Sequence, residues 1–256
     1  MSFRAKFRDE FLNFCVRDRF SPSPDVRGNI RANSMVSPLS SDTKFLSKIF
    51  EDHFLSQIDK FADNMGFKSI APKAQNYYPD RTIIYNDIKL AIDVKSSYKT
   101  GESQISGMTL GTFVGYFRNN SSSKNIMFPY DEYAAHFIFG AIYDRISTDE
   151  TRKYPIEKLA ELPTPFGDVD YMFHEKYRIA SDYPGSGNTK NIGSVKDIKS
   201  LINGTGPFRD LGEKVFEHYW KNYMTSDMAR KKKTQRPFRN IDEYKQFLQR
   251  MIDIEE

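Results

Sequence analysis

Residues 79–98 read PDRTIIYNDIKLAIDVKSSY, and this stretch decides the fold. Arg81 to Tyr85 is rich in β-forming residues, and Lys89 to Tyr98 alternates apolar and polar side chains with the two-residue period of a strand. Asn86-Asp87 between the two runs fits a two-residue turn, although Asn-Gly would be a stronger signal. The stretch therefore predicts an antiparallel β-hairpin.

The predicted hairpin brings two carboxylates face to face. In the register set by a turn at residues 86–87, Asp80 lies directly opposite Asp93, with the Cβ atoms roughly 4.5–5.5 Å apart. Like charges at this separation repel each other, and a divalent cation would relieve the repulsion. Lys95 is two residues after Asp93, hence on the same face of the strand. The set predicts a metal site that hydrolyses phosphodiester bonds. The alternative is a chance Asp-x-Lys triplet beside an ordinary Pro-Asp turn.

The composition indicates a folded protein. The chain has 256 residues, of which 39% are hydrophobic, and its 21 Phe and 15 Tyr are enough to build a core. The single cysteine, Cys15, excludes an internal disulfide and a cysteine-based zinc site. The N-terminus lacks the pattern of a secretory leader, and the longest apolar stretch, residues 133–143, is too short to span a bilayer. We therefore expect a cytoplasmic protein with no membrane partner.

Positive charge is concentrated near the C-terminus. The formal net charge is +4, and residues 229–239 include no acidic side chain. The basic side chains of this segment are Arg230, Lys231, Lys232, Lys233, Arg236 and Arg239. Such a run is either a solvated surface segment or a contact for nucleic-acid phosphates, and beside a phosphodiesterase site we favour phosphate contact.

Periodicity and capping signals predict the other elements. Residues 42–65 form the clearest helix, with Asp42 as its N-cap and Gly66 as its C-terminal stop. Residues 21–40 are typical of a loop with a short strand pair. Further helices are predicted over 2–18, 131–146 and 241–254, and strands over 127–128 and 176–180. This mixture predicts an α/β (α+β) protein with a central mixed β-sheet flanked by helices.

Two titratable residues lie on apolar faces of these predicted helices. Glu51 shares a face with Leu55, Ile58 and Ala62, and an inward carboxylate needs a partner. It is either an edge glutamate that reaches solvent or an acidic group at the rim of the metal site. His136 lies in the apolar run of the 131–146 segment, and we interpret it as a structural core histidine.

Residues 181–194 read SDYPGSGNTKNIGS and form a candidate recognition loop. Its glycines allow the backbone to approach another surface closely, and its Asn and Thr side chains can both donate and accept hydrogen bonds. The loop lacks the Walker phosphate-binding pattern. It is either a flexible surface turn or a loop that reads base edges in the DNA major groove.

Taken together, these segments resemble type II restriction endonucleases of the EcoRV type, within the PD-(D/E)xK nuclease superfamily. The resemblance covers roughly residues 36–225. The matching blocks are residues 38–51, 72–80, 91–98 and 109–145, together with 185–194, which is the most specific.

The resemblance implies a restriction-endonuclease-like fold and a bacterial, cytoplasmic homodimer that clamps double-stranded DNA. With Mg²⁺ as cofactor it would cut GATATC to leave blunt ends. Asp80 and Asp93 would be Mg²⁺ ligands, and Lys95 would stabilise charge on the scissile phosphate or orient the attacking water. Glu51 would be an auxiliary acidic residue and ligand of this site. The matching DNA contacts are Gln75, Asn76, Ser96, Ser97, Gly185, Ser186, Gly187, Asn188, Thr189 and Lys190.

The domain organisation expected from the resemblance is a single domain over residues 1–256. Within it, residues 1–40 would form a dimerisation subdomain and residues 181–240 a DNA-recognition and C-terminal subdomain. The chain departs from the family pattern at Lys190, where the family has a small hydroxyl residue, and in the segment before Ser34, which matches poorly. The catalytic hairpin is also shorter. Two alternatives remain open: a same-fold nuclease of different specificity, and a DNA-binding relative that does not cleave.

Overall fold

The computed structural model of the chain describes residues 2–119, 124–185 and 189–255. Within these ranges the helices are α1 (Phe3–Arg17), α2 (Thr43–Met65), α3 (Phe113–Phe117), α4 (Lys176–Ile179), α5 (Ile198–Asn203), α6 (Glu213–Asn222), α7 (Ser226–Lys231) and α8 (Ile241–Glu255). The strands are β1 (Gly28–Ile30), β2 (Met35–Pro38), β3 (Lys68–Ile70), β4 (Arg81–Tyr85), β5 (Ile88–Tyr98), β6 (Thr109–Thr112), β7 (Tyr133–Arg145), β8 (Tyr154–Pro155), β9 (Phe166–Glu175), β10 (Ala180–Pro184) and β11 (Asn191–Ser194).

The predicted hairpin is present in the predicted register. Strands β4 and β5 pair antiparallel, from Tyr85 opposite Ile88 to Arg81 opposite Ile92. Asn86 has a φ of 52°, the left-handed conformation that a tight two-residue turn requires. Asp80 directly precedes β4, so the register carries it to the end of the hairpin where Asp93 lies.

The hairpin lies inside a five-stranded sheet in the order β3-β4-β5-β7-β9. Strands β5 and β7 run parallel, whereas the other neighbouring pairs are antiparallel. The sheet is therefore mixed, with helices packed on it, which confirms the predicted fold class. Strand β5, which carries Asp93 and Lys95, is its middle strand.

Each face of the sheet is covered by its own hydrophobic core. On one face, α1 and α2 pack against Leu90, Ile92 and Val94 of β5 through a cluster of phenylalanine rings. The Phe11 ring, for example, lies 4.3 Å from the Phe173 ring, centroid to centroid. Helix α2 begins after its N-cap Asp42 and ends before a left-handed glycine, as its sequence predicts.

The opposite face of the sheet supports the second core and the site. Ala91 of β5 packs there with Ile138 and Ile142 of β7. Against them lie β6, α3, α5, α6 and α8, together with the strand pair β10–β11. Because side chains alternate along a strand, Asp93 points to this second face while its neighbours Ile92 and Val94 enter the first core.

The helix predicted over residues 131–146 is wrong. A short 3-10 turn at Tyr130–Glu132 leads into β7, a 13-residue strand. Both faces of β7 are buried, so its sequence is a continuous apolar run with no two-residue alternation. Such a run cannot be told from a buried helix by periodicity alone.

Two of the shorter predicted strands are also wrong. Residues 127–128 form a bend, although the neighbouring Ile126 makes an isolated bridge to Tyr78. Residues 176–179 form the one-turn helix α4, and the strand β10 starts only at Ala180. The predicted helices at 2–18 and 241–254 are confirmed as α1 and α8, and the short strand pair within 21–40 as β1 and β2.

Residues 1–40 contribute to two different parts of the structure. Helix α1 belongs to the core that it forms with α2 on the first face of the sheet, where Cys15 is a buried free thiol. Strands β1 and β2 instead form a separate small sheet with β8. Within the described ranges, no helix combines the length and the apolar character needed to cross a bilayer.

Candidate metal and DNA site

The hairpin brings together three of the four residues predicted for the metal site, Asp80, Asp93 and Lys95. The Lys95 ammonium lies 2.5 Å from Oδ2 of Asp93 and also donates to the Val94 carbonyl at 3.0 Å. Asp80 reaches the same point from the opposite strand, where its Oδ2 accepts a hydrogen bond from the Val94 N–H at 2.7 Å. Asp93 is only 6% exposed. Two carboxylates and one ammonium are thus held at one edge of the second core.

The electrostatics of this group favour a bound cation. Burial and the charge of Asp93 raise the pKa of Asp80 to about 7, against the lowering effects of Lys95 and of the Val94 hydrogen bond. For Lys95, burial would lower the pKa, but Asp93 and Asp80 outweigh it and the pKa is raised. The site is therefore short of positive charge, because one ammonium faces two carboxylates.

The donor set fits Mg²⁺. Magnesium binds through one or two carboxylates and completes its shell with waters and phosphate oxygens. Among residues 2–119, 124–185 and 189–255, no group of three or more His, Cys, Asp or Glu side chains comes together in a way that could hold a metal. Asp80 and Asp93 would hold the ion, which leaves room in the shell for substrate oxygens.

Glu51 lies near this pair without joining it. Its side chain is 33% exposed and makes an ion pair with Lys48 at 2.6 Å, although the other members of its helix face are buried. Its negative charge contributes to the raised pKa of Lys95. Glu51 is thus a partly exposed glutamate paired with Lys48, and its role as a ligand of the metal site stays a prediction.

An ion pair between Arg81 and Asp59, which the sequence did not predict, connects the hairpin to α2. Arg81 donates two hydrogen bonds to Asp59, each at 2.8 Å, and a third to the Asp80 carbonyl at 2.9 Å. Ser69 of β3 donates to the same Asp59 carboxylate at 2.7 Å. A bidentate contact of this kind fixes direction as well as distance, so it orients the residue next to Asp80.

The candidate recognition loop extends from the strands β10 and β11. At its base the Gly185 N–H donates to the Asn191 carbonyl at 3.0 Å. A Cβ on Gly193 would lie 2.8 Å from the Cα of Gly185, so the close approach of the two strands requires glycine. The predicted contacts Ser186, Gly187 and Asn188 lie outside the described residues.

Two further loop residues are described. Thr189 is half-buried, and its hydroxyl has no hydrogen-bond partner among the residues that the structure describes. Lys190 is exposed, and its carbonyl accepts a hydrogen bond from the Phe113 N–H at 3.0 Å. Lys190 also lines a cavity of about 470 Å³ together with Asn76 and Asn125. Lys190 and the segment that carries Asn76 thus face a common space.

The remaining predicted DNA contacts differ in accessibility. Gln75 and Asn76 are exposed in the segment that leads to β4. Ser96 is half-buried and donates to the Ser47 hydroxyl at 3.0 Å. Ser97 is buried, and its hydroxyl both donates to and accepts from the Gly107 backbone. Ser97 therefore holds the loop before β6 rather than presenting a free hydroxyl.

The sequence also matches known proteins over most of its length. The family model described as restriction endonuclease EcoRV matches residues 16–249. The chain is 39% identical over 232 residues to the type II restriction enzyme EcoRV of Escherichia coli, and the match covers 88% of this chain and 91% of that enzyme. The family match includes residues 16–33, so it also extends into the N-terminal segment where the resemblance is weak. The chain therefore belongs to the EcoRV family of restriction endonucleases.

Proposed function

We propose that this protein hydrolyses double-stranded DNA at a short palindromic site with Mg²⁺ as cofactor. The observation that carries the proposal is the group of Asp80, Asp93 and Lys95. Its two carboxylates lie close enough to raise the pKa of Asp80, and the Lys95 ammonium lies beside Asp93. The relative in Escherichia coli is named a type II restriction enzyme, which supports the same class of activity. The localisation expected with this function is the bacterial cytoplasm.

The residues of the site have distinct roles in this proposal. Asp80 and Asp93 hold the ion, and Glu51 adds negative charge at the rim. Mg²⁺ bound there would polarise the scissile phosphate and favour ionisation of a bound water. Lys95 is held at a fixed position beside Asp93, where it places positive charge against the charge that builds up on the phosphate. The hydrogen bond from the ammonium to the Val94 carbonyl, 3.0 Å long, favours this side-chain position over one in solvent.

The proposed target is GATATC, cut at its centre. The sequence Gly-Ser-Gly-Asn-Thr at residues 185–189 supports this choice, because asparagine can pair with adenine and threonine can touch the thymine methyl in the major groove. In this proposal Lys190 contacts a phosphate, Asn76 reaches the minor groove, and Gln75 contacts the backbone beside it. Ser96 lies at the edge of the same surface, and Ser97 acts through the Gly107 loop.

The proposed assembly is a homodimer that matches the two-fold symmetry of a palindrome. The small sheet β1-β2-β8 and the turn at residues 156–161 leave large apolar side chains uncovered: Ile30 is 72% exposed, and Ile156 and Leu159 about 40%. Exposed apolar side chains gathered on one subdomain mark an interaction surface. A second copy is the partner we propose for this surface. Strands β1 and β2 belong to the proposed dimerisation subdomain of residues 1–40, and residues 154–161 pack beside them.

Digestion of a plasmid of known sequence tests the proposal. We expect discrete fragments with Mg²⁺ and none with EDTA, and sequencing of the fragment ends locates the cut. Blunt ends inside GATATC support the whole proposal, whereas discrete ends at another sequence keep the nuclease and refute the target. Binding in a gel shift without any cleavage would refute the hydrolase and leave a DNA-binding relative. Light scattering of the wild type and of Ile30→Glu tests the dimer separately, since the charge should yield monomers.

A further inference from the structure

A buried lysine, Lys176, is connected to the proposed metal site through Tyr78. Lys176 begins α4, immediately after β9, and is only 1% exposed. Its ammonium donates a hydrogen bond to the Tyr78 hydroxyl at 3.0 Å. Tyr78 is two residues before Asp80 in the chain, so this contact connects the core to the segment that supplies a proposed metal ligand.

The contact continues through a histidine to a second tyrosine. The Tyr78 hydroxyl lies 2.8 Å from Nδ1 of His136, and Nε2 of His136 lies 3.2 Å from the Tyr130 carbonyl. Burial and the charge of Lys176 hold the pKa of His136 well below its usual value, so the ring is neutral. The consistent assignment has His136 donating from Nε2 to Tyr130 and accepting at Nδ1 from Tyr78, while Tyr78 accepts from Lys176.

Three aromatic rings enclose the ammonium. Nζ of Lys176 lies 4.3 Å from the ring centroid of Tyr78, 4.7 Å from that of Tyr116 and 5.2 Å from that of Tyr130. Each distance is within the range of a cation–π interaction. The Tyr130 ring also stacks on His136 with a centroid distance of 3.7 Å. The Tyr78 ring is therefore held both by its hydroxyl and by its face.

A buried ammonium is costly, so its retention needs a reason. Burial lowers the pKa of Lys176 to about 7, and the negative charge of Asp93 is the main influence that opposes this. The ammonium is thus close enough to feel the carboxylate of the site, although its direct contacts are with tyrosines. The direct contact of Lys176 with Tyr78 therefore leads to the segment that carries Asp80.

We propose that Lys176 is a positioning residue of the metal site, which acts by holding Tyr78 and, through it, Asp80. The proposal rests on the proposed function, because it assigns the metal site to Asp80 and Asp93. Loss of the Lys176 contact should let the 78–80 segment move, so that the carboxylates are less well placed for a cation. Residues that orient metal ligands typically change metal affinity by about 10–100-fold when they are replaced.

The test compares Lys176→Met, Tyr78→Phe and the double variant with the wild type, all as full-length chains. Lys89→Met is the matched control, because it removes another lysine that lies over an aromatic ring, 5.0 Å from the centroid of Phe128, on the same strand as Asp93. Lys89 pairs with Glu132 and makes no contact with Tyr78 among those the structure records. For each protein we would measure the thermal midpoint, the Ca²⁺ affinity by calorimetry, and the Mg²⁺ concentration that gives half the maximal single-turnover cleavage rate.

We expect Lys176→Met and Tyr78→Phe each to weaken Ca²⁺ binding and raise the half-saturating Mg²⁺ concentration about tenfold, with Lys89→Met unchanged. Because both replacements break the same connection, the double variant should be no weaker than the weaker single variant. A purely structural role would lower the thermal midpoint and leave the metal dependence of the folded protein unchanged, which would overturn the proposal. If Lys176→Met does not fold, unchanged metal affinity in Tyr78→Phe overturns it instead. If the wild type binds Ca²⁺ but does not cleave DNA with Mg²⁺, the proposed nuclease activity is refuted. The Ca²⁺ affinities of the variants would still decide the role of Lys176.

Discussion

The raised pKa of Asp80 makes metal binding pH-dependent near neutrality. A cation binds the ionised carboxylate, so below the folded-state pKa of about 7 a proton competes with the metal. With one proton in competition, the half-saturating Mg²⁺ concentration scales as one plus the ratio of protonated to ionised Asp80. From pH 8 to pH 6 that factor rises about tenfold.

The assay is single-turnover cleavage of a labelled duplex, with Mg²⁺ titrated to saturation at each pH between 6 and 8. Ca²⁺ binding measured by calorimetry over the same range provides a readout that does not depend on cleavage. A half-saturating concentration that stays constant from pH 8 to pH 6, or that begins to rise only below about pH 5, would refute the reasoning, because an unperturbed aspartate titrates near 4.

Asp80→Asn provides a second check, on the protein without metal. The folded-state pKa of Asp80 is raised above its unfolded value, so the unfolded chain releases this proton first as the pH rises. The contribution of Asp80 to the free energy of unfolding is therefore lost between about pH 4 and pH 7. We expect metal-free Asp80→Asn to have a higher thermal midpoint than the wild type at pH 8 and to lose that advantage towards pH 4.

Three further outcomes are expected. Asp93→Ala should abolish cleavage and leave DNA binding largely intact in a gel shift, and substantial Mg²⁺-dependent activity in this variant would exclude Asp93 as a ligand. Arg81→Ala removes the bidentate contact to Asp59 and should lower the free energy of unfolding by about 1–2 kcal/mol in urea titrations, a value reduced because Asp59 is partly exposed. Lys190→Ser should reduce the slope of log affinity against log salt concentration by about one, and an unchanged slope would exclude a phosphate contact.

The hairpin could be predicted because its signals are local. Alternation along residues 89–98 and the turn at residues 86–87 determine the register, and the register places Asp80 near Asp93. Capping by Asp42 and Gly66 similarly bounded α2. Strand β7 was mistaken for a helix because both of its faces are buried, which removes the two-residue period from its sequence.

The support behind the site could not be predicted in the same way. The contact between Lys176 and Tyr78 joins residues 98 positions apart, and that between Tyr78 and His136 spans 58. Neither has a spacing or periodicity that marks it. Arg81 was visible next to Asp80, but its partner Asp59 lies on a helix whose packing onto the hairpin becomes known only from the fold.

The position of β5 in the middle of the sheet ties the chemistry to the stability of the whole molecule. Its ten paired positions with β7 and its antiparallel ladder with β4 leave no free edge, and a core covers each of its faces. Strands of this kind open only when the protein unfolds globally. Asp93 and Lys95 should therefore keep their geometry up to the temperature at which the fold itself is lost. Thermal inactivation would then coincide with denaturation, without an earlier stage in which a still folded enzyme has lost its site.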